Sequence, residues 1–288
     1  MEFKPSAKKL ILGLLLATEG RALTVAEAIT ACALFDISEN NVRVTLARLS
    51  ADDMITSPER GCYQLGPKAS GVARQVATWH EAEQNLTAWQ GDYVLVLTGM
   101  LGRSDRSALS QRQRAMSFLG LRELERGVYV RPDNLSGGVA AVRARLLGLG
   151  LPKSIIVCRS GTFDSTRETQ ITGLWDITAL NNLYKERRTV LERWLQNQHR
   201  LDLSTAARES YLLGGQAIRQ LVFDPWLPQE MIDADARHAF ACTVQRFDEA
   251  GKVIWARFLP QQTGEGEMSL SAGVPAQAFL QEEYGVVV

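Results

Sequence analysis

A short apolar run, Tyr93-Val94-Leu95-Val96-Leu97-Thr98, interrupts a chain of 288 residues whose flanking segments have a helical period. An almost continuous apolar run of this length is typical of a strand in the interior of a sheet with cover on at least one face. The chain must therefore combine a central sheet with helical segments before and after it. This predicts an α+β fold, and the length allows two or three domains at roughly 150 residues each.

Residues 1–87 have the pattern of three helices, a hairpin and a further helix. In the third helix, Ser38 is a candidate N-cap because its hydroxyl can accept from an unpaired main-chain N–H of the first turn. At 100° per residue, Val42, Leu46 and Leu49 fall on one side of this helix and form an apolar stripe. Three helices followed by a two-stranded wing predict a winged helix-turn-helix, whose last helix before the wing enters the major groove of DNA.

The rest of that third helix carries side chains that can donate hydrogen bonds to base edges or phosphates. These candidate DNA-binding residues are Asn40, Asn41, Arg43 and Arg48. A fifth candidate, Arg60, stands in the turn Pro58-Glu59-Arg60-Gly61 between the two wing strands and could contact a phosphate or the minor groove. The competing interpretation is the solvated face of a small helical bundle, where Asn and Arg are ordinary surface residues.

Residues 88–160 predict the order β-α-β-α-β, which suits a small ferredoxin-like α/β domain. Residues 161–260 return to a helical period and predict a helical C-terminal domain. Residues 261–288 form a tail that is small, polar and acidic near its start, and this composition favours mobility.

The charge is zero overall but unevenly distributed. Residues 90–159 have a net charge of +6 and residues 160–288 a net charge of −5, so the basic middle favours an anionic partner, either nucleic acid or a phosphorylated ligand. Four widely separated cysteines and three histidines lack the spacing of metal ligands, so we expect no metal and no cofactor. No apolar run is long enough for a membrane span and no secretory pattern is present, which predicts a cytoplasmic protein.

Several segments, in this order along the chain, resemble the PaaX family of transcriptional regulators. They are Ile37–Leu49, Ala88–Val94, Gly127–Pro132, Trp175–Tyr184 and Asp224–Pro228. The resemblance covers roughly residues 8–250. The sequence departs from the family at Thr98-Gly99-Met100-Leu101-Gly102, where the family usually has an Asp-Ile-Pro-Glu type of stretch.

The resemblance implies a homodimeric bacterial repressor of an aromatic-compound catabolic operon, best known for phenylacetate genes. It implies that the repressor is released from its operator by an aryl-CoA thioester such as phenylacetyl-CoA. It also implies a winged-helix N-terminal domain, a central domain similar to the small ferredoxin-like nuclease of CRISPR adaptation, and a helical C-terminal domain.

The central segment offers arginines for the phosphates of a CoA ester, because guanidinium groups match phosphate oxygens bidentately. The seven arginines are Arg103, Arg106, Arg112, Arg114, Arg122, Arg126 and Arg131. The candidate ligand-binding residues are Arg112, Arg131 and Trp175, with Tyr184 and Trp226 as further aromatic candidates. The competing interpretation assigns the arginines to a solvated helix face and intersubunit ion pairs, and the aromatic residues to the core.

The likeness to a nuclease raises the possibility of an enzyme. The alternative to a transcriptional regulator is therefore a nucleic-acid-processing or structural protein whose winged domain mediates protein contacts. Metal-dependent cleavage would need an acidic ligand near the end of the first sheet strand. Thr98, Gly99 and Met100 stand there instead, and no catalytic constellation is visible elsewhere in the sequence. We therefore expect no enzymatic activity.

Overall fold

The computed structural model describes residues 5–17, 21–69, 79–102 and 104–259. Within these ranges helices surround two antiparallel sheets, which confirms the predicted α+β class. The predicted tail after Pro260 lies outside the described residues, as do residues 70–78 of the helix predicted after the hairpin. The residues that follow form two short 3-10 helices, Trp79–Glu81 and Glu83–Asn85. No helix in the described ranges has the length and apolar character needed to cross a bilayer.

The chain begins with three helices: α1 (Ala7–Ala17), α2 (Val25–Ala33) and α3 (Glu39–Ala51). A reciprocal capping box starts α2, in which the Thr24 hydroxyl accepts from Glu27 N at 3.1 Å and the Glu27 carboxylate accepts from Thr24 N at 2.8 Å. Ser38 caps α3, because its side chain accepts from Asn41 N at 3.4 Å. The Ser38 cap is the one that the sequence predicts.

A small sheet with the strand order β1-β3-β2 accompanies these helices. Its strands are β1 (Leu23–Thr24), β2 (Ile55–Thr56) and β3 (Cys62–Leu65). β2 and β3 are the predicted hairpin, and Gly61 in their turn has φ +81°, a conformation that glycine adopts at little cost. β1 was not predicted, because two residues directly before a helix leave no periodic signal.

The central sheet is antiparallel throughout and has the strand order β5-β6-β4-β7. Its elements are β4 (Tyr93–Leu97), α4 (Arg106–Phe118), β5 (Arg122–Glu125), β6 (Val128–Pro132), α5 (Gly138–Gly148) and β7 (Ile156–Ser160). β4 lies between β6 and β7, as its apolar run predicts. β5 corrects the predicted order to β-α-β-β-α-β. This edge strand escaped prediction because three of its four residues are charged and only Leu124 is buried.

The remaining helices are α6 (Ser165–Thr172), α7 (Ile177–Asn197), α8 (Leu203–Val222) and α9 (Ala234–Phe258). α9 packs against both α7 and α8. Asp176 caps α7, accepting from Ala179 N at 2.9 Å. Asp202, and not Ser204, caps α8: its carboxylate accepts from Thr205 N at 3.0 Å and so satisfies the first turn of the helix.

Two apolar clusters form the core. One lies between the central sheet and its helices α4 and α5. The other joins α1–α3 to the C-terminal helices without a break. The ring of Phe35, which lies between α2 and α3, contacts the ring of Tyr211 on α8 edge-on, with 5.2 Å between the centroids. The connection between α2 and α3 therefore contacts α8 directly.

Candidate functional site

The inner side of α3 is fully packed. Val42, Leu46 and Leu49 retain 0%, 2% and 1% of their accessible surface. Burying three such side chains contributes about 1.5–3 kcal/mol each, which fixes the rotation of the helix about its own axis. The predicted apolar stripe is therefore confirmed, and it determines which side chains point away from the protein.

The outer side of α3 carries amide and guanidinium groups. Its exposed residues include Asn40, Asn41, Arg43, Val44 and Arg48. The Arg43 guanidinium pairs with the Glu39 carboxylate at 2.7 Å, and the Thr45 hydroxyl donates to the Asn41 side-chain oxygen at 3.3 Å. An exposed pair of this kind contributes only about 0.3–0.5 kcal/mol, so Arg43 can exchange Glu39 for another anion at little cost.

Arg60 lies in the exposed turn between β2 and β3. The Ser57 hydroxyl donates to the carbonyl of Glu59 at 2.6 Å and so closes the turn from within. β2 follows α3 after only a few residues, so this turn and the outer side of α3 belong to one continuous segment. All five predicted DNA-binding residues are accessible, and their contact with DNA stays a prediction.

Arg131 lies inside the protein, with 2% of its surface exposed. Its guanidinium donates to two main-chain carbonyls and to the side-chain oxygen of Asn134 at 2.9 Å. Asn134 in turn donates to the carbonyl of Trp226 at 2.8 Å. Burial, with the like charge of Arg145, lowers the pKa of Arg131 to about 9. The geometry makes Arg131 a buried link between the central sheet and the turn before α9.

The other two predicted ligand-binding residues are also largely buried and also bond to main-chain carbonyls. The Arg112 guanidinium donates to Gly102 O at 3.1 Å, and the Trp175 indole donates to Gly120 O at 3.3 Å. The three residues border three different cavities, of about 270 Å³ for Arg112, 480 Å³ for Trp175 and 140 Å³ for Arg131. The structure therefore does not bring the three predicted residues together.

Tyr184 and Trp226, the further aromatic candidates, are core residues in this structure. The Tyr184 hydroxyl donates to the Asp224 carboxylate at 2.5 Å, and Trp226 N donates to the same carboxylate at 2.8 Å. Burial raises the pKa of Asp224, whereas these two donors and the nearby arginines lower it. The Arg237 guanidinium lies over the Trp226 ring at 5.2 Å. The turn before α9 is thus fixed by a buried polar network.

An open groove of about 570 Å³ lies between α4, the start of β5 and the end of α8. We call it the arginine groove, because three guanidinium groups reach it. Its lining includes Arg114, Arg122, Arg219, Ser110, Ser117 and Phe223. Two of its arginines, Arg114 and Arg122, belong to the seven central-segment arginines of the sequence. Arg219 is about a hundred residues further along the chain, so its spacing in the sequence could not indicate that it reaches this groove.

A second open groove of about 480 Å³, the Trp175 groove, lies beside the start of α7. Its apolar lining consists of Leu174, Trp175, Ala179, Leu180 and Leu183, and its charged lining of Arg122, Asp176 and Glu186. Arg122 therefore lines both grooves. The arginine groove and the Trp175 groove, whose lining is largely apolar, therefore lie next to each other.

Three polar side chains that contact one another at the surface were also not predicted from the sequence. His238 Nδ1 lies 2.8 Å from the Glu83 carboxylate, and Cys242 Sγ lies 3.5 Å from His238 Nε2. Glu83 is 155 residues from His238 in sequence, so only the fold brings them together. The cavities described above do not include these residues, and His238 is well exposed. In the part of the chain that the structure describes, no group of three or more His, Cys, Asp or Glu residues could hold a metal ion.

Comparisons with known proteins identify the C-terminal part of the chain. Residues 175–257 match the family model of the PaaX-like protein C-terminal domain. The chain therefore carries a PaaX-like C-terminal domain, and the family resemblance predicted from the sequence is confirmed. No curated protein matches the chain.

Among solved structures, the chain is similar to the uncharacterized protein Rv0674 from Mycobacterium tuberculosis. The two share 21% sequence identity with a TM-score of 0.55, and the match covers 86% of this chain and 98% of the other. At this identity the likeness shows a shared fold over most of both chains.

Proposed function

We propose that this protein is a ligand-responsive transcriptional regulator that binds operator DNA as a homodimer. The observation that carries the proposal is the outer side of α3, where amide and guanidinium groups stand exposed above a fully buried stripe. The PaaX-like C-terminal domain supports it, because the PaaX family consists of transcriptional regulators.

The proposed layout has a winged helix-turn-helix domain in residues 1–87, a ferredoxin-like domain in 88–160 and a helical domain in 161–260, followed by a tail. Three helices followed by the β2–β3 hairpin suit the first assignment. The order β-α-β-β-α-β, with the sheet order β5-β6-β4-β7, suits the second. A cytoplasmic location follows from the proposed role.

In this proposal α3 enters the major groove with its outer side towards the bases. Asn40 and Asn41 match adenine, and Arg43 and Arg48 match guanine or the phosphates. Val44, exposed to 40% between them, offers an apolar contact to a thymine methyl group. Arg60 in the hairpin turn contacts a phosphate or the minor groove. A dimer doubles these contacts on a palindromic site.

We further propose repression of an aromatic-compound catabolic operon of the phenylacetate type, with release by an aryl-CoA thioester such as phenylacetyl-CoA. The ligand would favour a dimer whose two α3 helices no longer fit two half-sites one helical turn apart. The resemblance to the PaaX family supports this part of the proposal.

We propose no catalytic role. At the end of β4, where a nuclease of this type would need an acidic metal ligand, Thr98 is buried and its hydroxyl donates to Gly127 O at 3.3 Å. Glycine and methionine follow it. The protein is therefore proposed to act by binding alone.

The test is a gel shift with the DNA upstream of the protein's own gene at moderate salt, with excess nonspecific competitor. Replacing both Arg43 and Arg48 with Ala should weaken binding by about 1–3 kcal/mol for each base interaction that the substitution removes. Arg193→Ala, which removes an exposed arginine on α7, is the matched control and should leave binding unchanged. Unchanged binding by the double variant would exclude α3 as the recognition helix. Absence of any sequence preference in the unaltered protein would favour a nucleic-acid-processing or structural role.

A further inference from the structure

We infer that the arginine groove and the Trp175 groove form one bipartite site for a phosphorylated acyl thioester. The arginine groove would hold the phosphate groups and the Trp175 groove the acyl group, with Arg122 at the junction. The inference rests on the proposed function for its ligand class, and it assigns the ligand to residues that differ from Arg112 and Arg131.

The arginine groove has the chemistry of a phosphate site. Arg114, Arg122 and Arg219 come from three different elements, α4, β5 and α8, and none of the described residues that line the groove is acidic. Cations that converge on one groove raise its positive potential, which favours an anion between them. The Arg114 guanidinium donates to the Ser110 hydroxyl, which orients it. Guanidinium groups arranged in this way suit the bidentate recognition of phosphate oxygens.

Each arginine taken singly also has a structural explanation. Arg219 lies in the last turn of α8, where a cation is favourable, and its guanidinium lies 5.3 Å from the Phe223 ring centre. Helix-end electrostatics do not explain why Arg122 turns towards the same groove, where burial lowers the pKa of its guanidinium. A bound anion would offset that desolvation.

The Trp175 groove suits an uncharged acyl group better than a free carboxylate. Leu174, Leu180 and Leu183 join Trp175 in its apolar lining, whereas Asp176 and Glu186 add two negative charges against the single positive charge of Arg122. A free aromatic acid would bring a further negative charge to this groove, and a thioester would not. Both grooves fall within the ~300–1,000 Å³ that is usual for small-molecule sites.

Helix α8 connects the site to the part of the chain next to α3, the proposed DNA-binding helix. α8 carries Arg219 at the arginine groove and Tyr211 at its contact with Phe35, which lies in the connection between α2 and α3. Arg219 follows Tyr211 by eight positions along the helix, a rise of roughly 12 Å. A ligand that draws Arg219 towards its phosphates would therefore act on the helix that contacts the α2–α3 connection.

The test is isothermal titration of the full chain with phenylacetyl-CoA, coenzyme A, adenosine 3′,5′-bisphosphate and phenylacetate. Arg114→Ala, Arg122→Ala and Arg219→Ala should each weaken binding of the three phosphorylated compounds about tenfold or more, because each removes a charge-assisted contact. Arg106→Ala, an exposed arginine of α4 outside the groove lining, is the matched control and should leave binding unchanged.

A second variant separates the two halves of the site. Ala179 is exposed and lines the Trp175 groove, so Ala179→Phe fills this groove without altering its charge. It should weaken phenylacetyl-CoA binding at least fivefold and leave coenzyme A and the bisphosphate unaffected. Equal weakening for all three compounds would overturn the bipartite assignment.

The outcomes also separate the inference from the proposed function. If the unaltered protein binds the thioester and the three groove variants bind it equally well, the site assignment is overturned while the proposed effector stands. If the unaltered protein binds none of the CoA compounds, the effector class fails and the inference fails with it. If the groove variants weaken operator binding and leave thioester binding intact, the groove contacts DNA phosphates, and the small-molecule assignment is overturned.

Discussion

Two buried tyrosines of the C-terminal helices offer a controlled test of the buried polar network. Tyr184 is fully buried, and its hydroxyl donates to the Asp224 carboxylate at 2.5 Å. Tyr211 is equally buried, but among the described residues its hydroxyl has no hydrogen-bond partner. Replacing either residue with Phe removes one oxygen and leaves the ring in place, so the two variants differ only in whether a hydrogen bond is removed with it.

The two substitutions should change the free energy of unfolding by different amounts, and the changes can be opposite in sign. Tyr184→Phe leaves a buried carboxylate without one of its donors, and a hydrogen bond to a charged group contributes about 1.5–3 kcal/mol. The free energy of unfolding should fall by that amount, and the melting temperature by roughly 3–12 °C for a chain of this size. Tyr211→Phe removes an unpaired buried hydroxyl, so it should be neutral within about 0.5 kcal/mol or stabilising.

Urea and thermal unfolding, followed by circular dichroism and tryptophan fluorescence, measure both values. Trp175, Trp194, Trp226 and Trp255 lie in the C-terminal region and report on its transition. The reasoning would be refuted if Tyr184→Phe were as stable as the unaltered protein. A Tyr211→Phe variant that was less stable than Tyr184→Phe would refute it equally.

Three further expectations concern stability. Burial raises the pKa of the Asp224 carboxyl above its usual ~3.9, so the folded state binds this proton more tightly than the unfolded state. Stability should therefore fall as pH rises from that usual value through the raised one, and Asp224→Asn should remove this dependence in urea unfolding at a series of pH values. Gly120 has φ +68° and an added Cβ would lie 2.6 Å from Pro225 Cα, whereas Gly61 has φ +81° and open space around it. Gly120→Ala should therefore lower the melting temperature far more than Gly61→Ala, which should cost about 1 kcal/mol. Ser38→Ala removes the cap of α3 and should cost about 1 kcal/mol, measured by thermal unfolding, and a midpoint equal to that of the unaltered protein would contradict this.

Much of the N-terminal fold could be predicted because its determinants are local. The stripe of α3 follows from a helical period, and its cap follows from a hydroxyl at the correct offset. The interior position of β4 follows from its apolar run. These features depend on residues within about four positions of each other, so they can be identified from the sequence alone.

The candidate ligand site could be predicted only in part. Trp175, Arg114 and Arg122 are candidates in the sequence, but the residues of the site converge only through tertiary packing. Arg219 reaches the arginine groove because the end of α8 lies beside α4 and β5. Arg112 and Arg131 carry the same charge as their neighbours in sequence, but the fold turns them inward to main-chain carbonyls. Strand β5 was missed because an edge strand can carry charges on most of its residues.

The most direct test of the central claim is a photocrosslink from the middle of α3. A photoreactive phenylalanine analogue at Val44, which is exposed on the outer side, should crosslink to labelled operator DNA in the presence of nonspecific competitor. The same analogue at Val253, exposed on α9, should not. Crosslinks from Val44 to a second protein subunit in place of DNA would show that this side of α3 is a protein interface, and would contradict the proposed role in gene control.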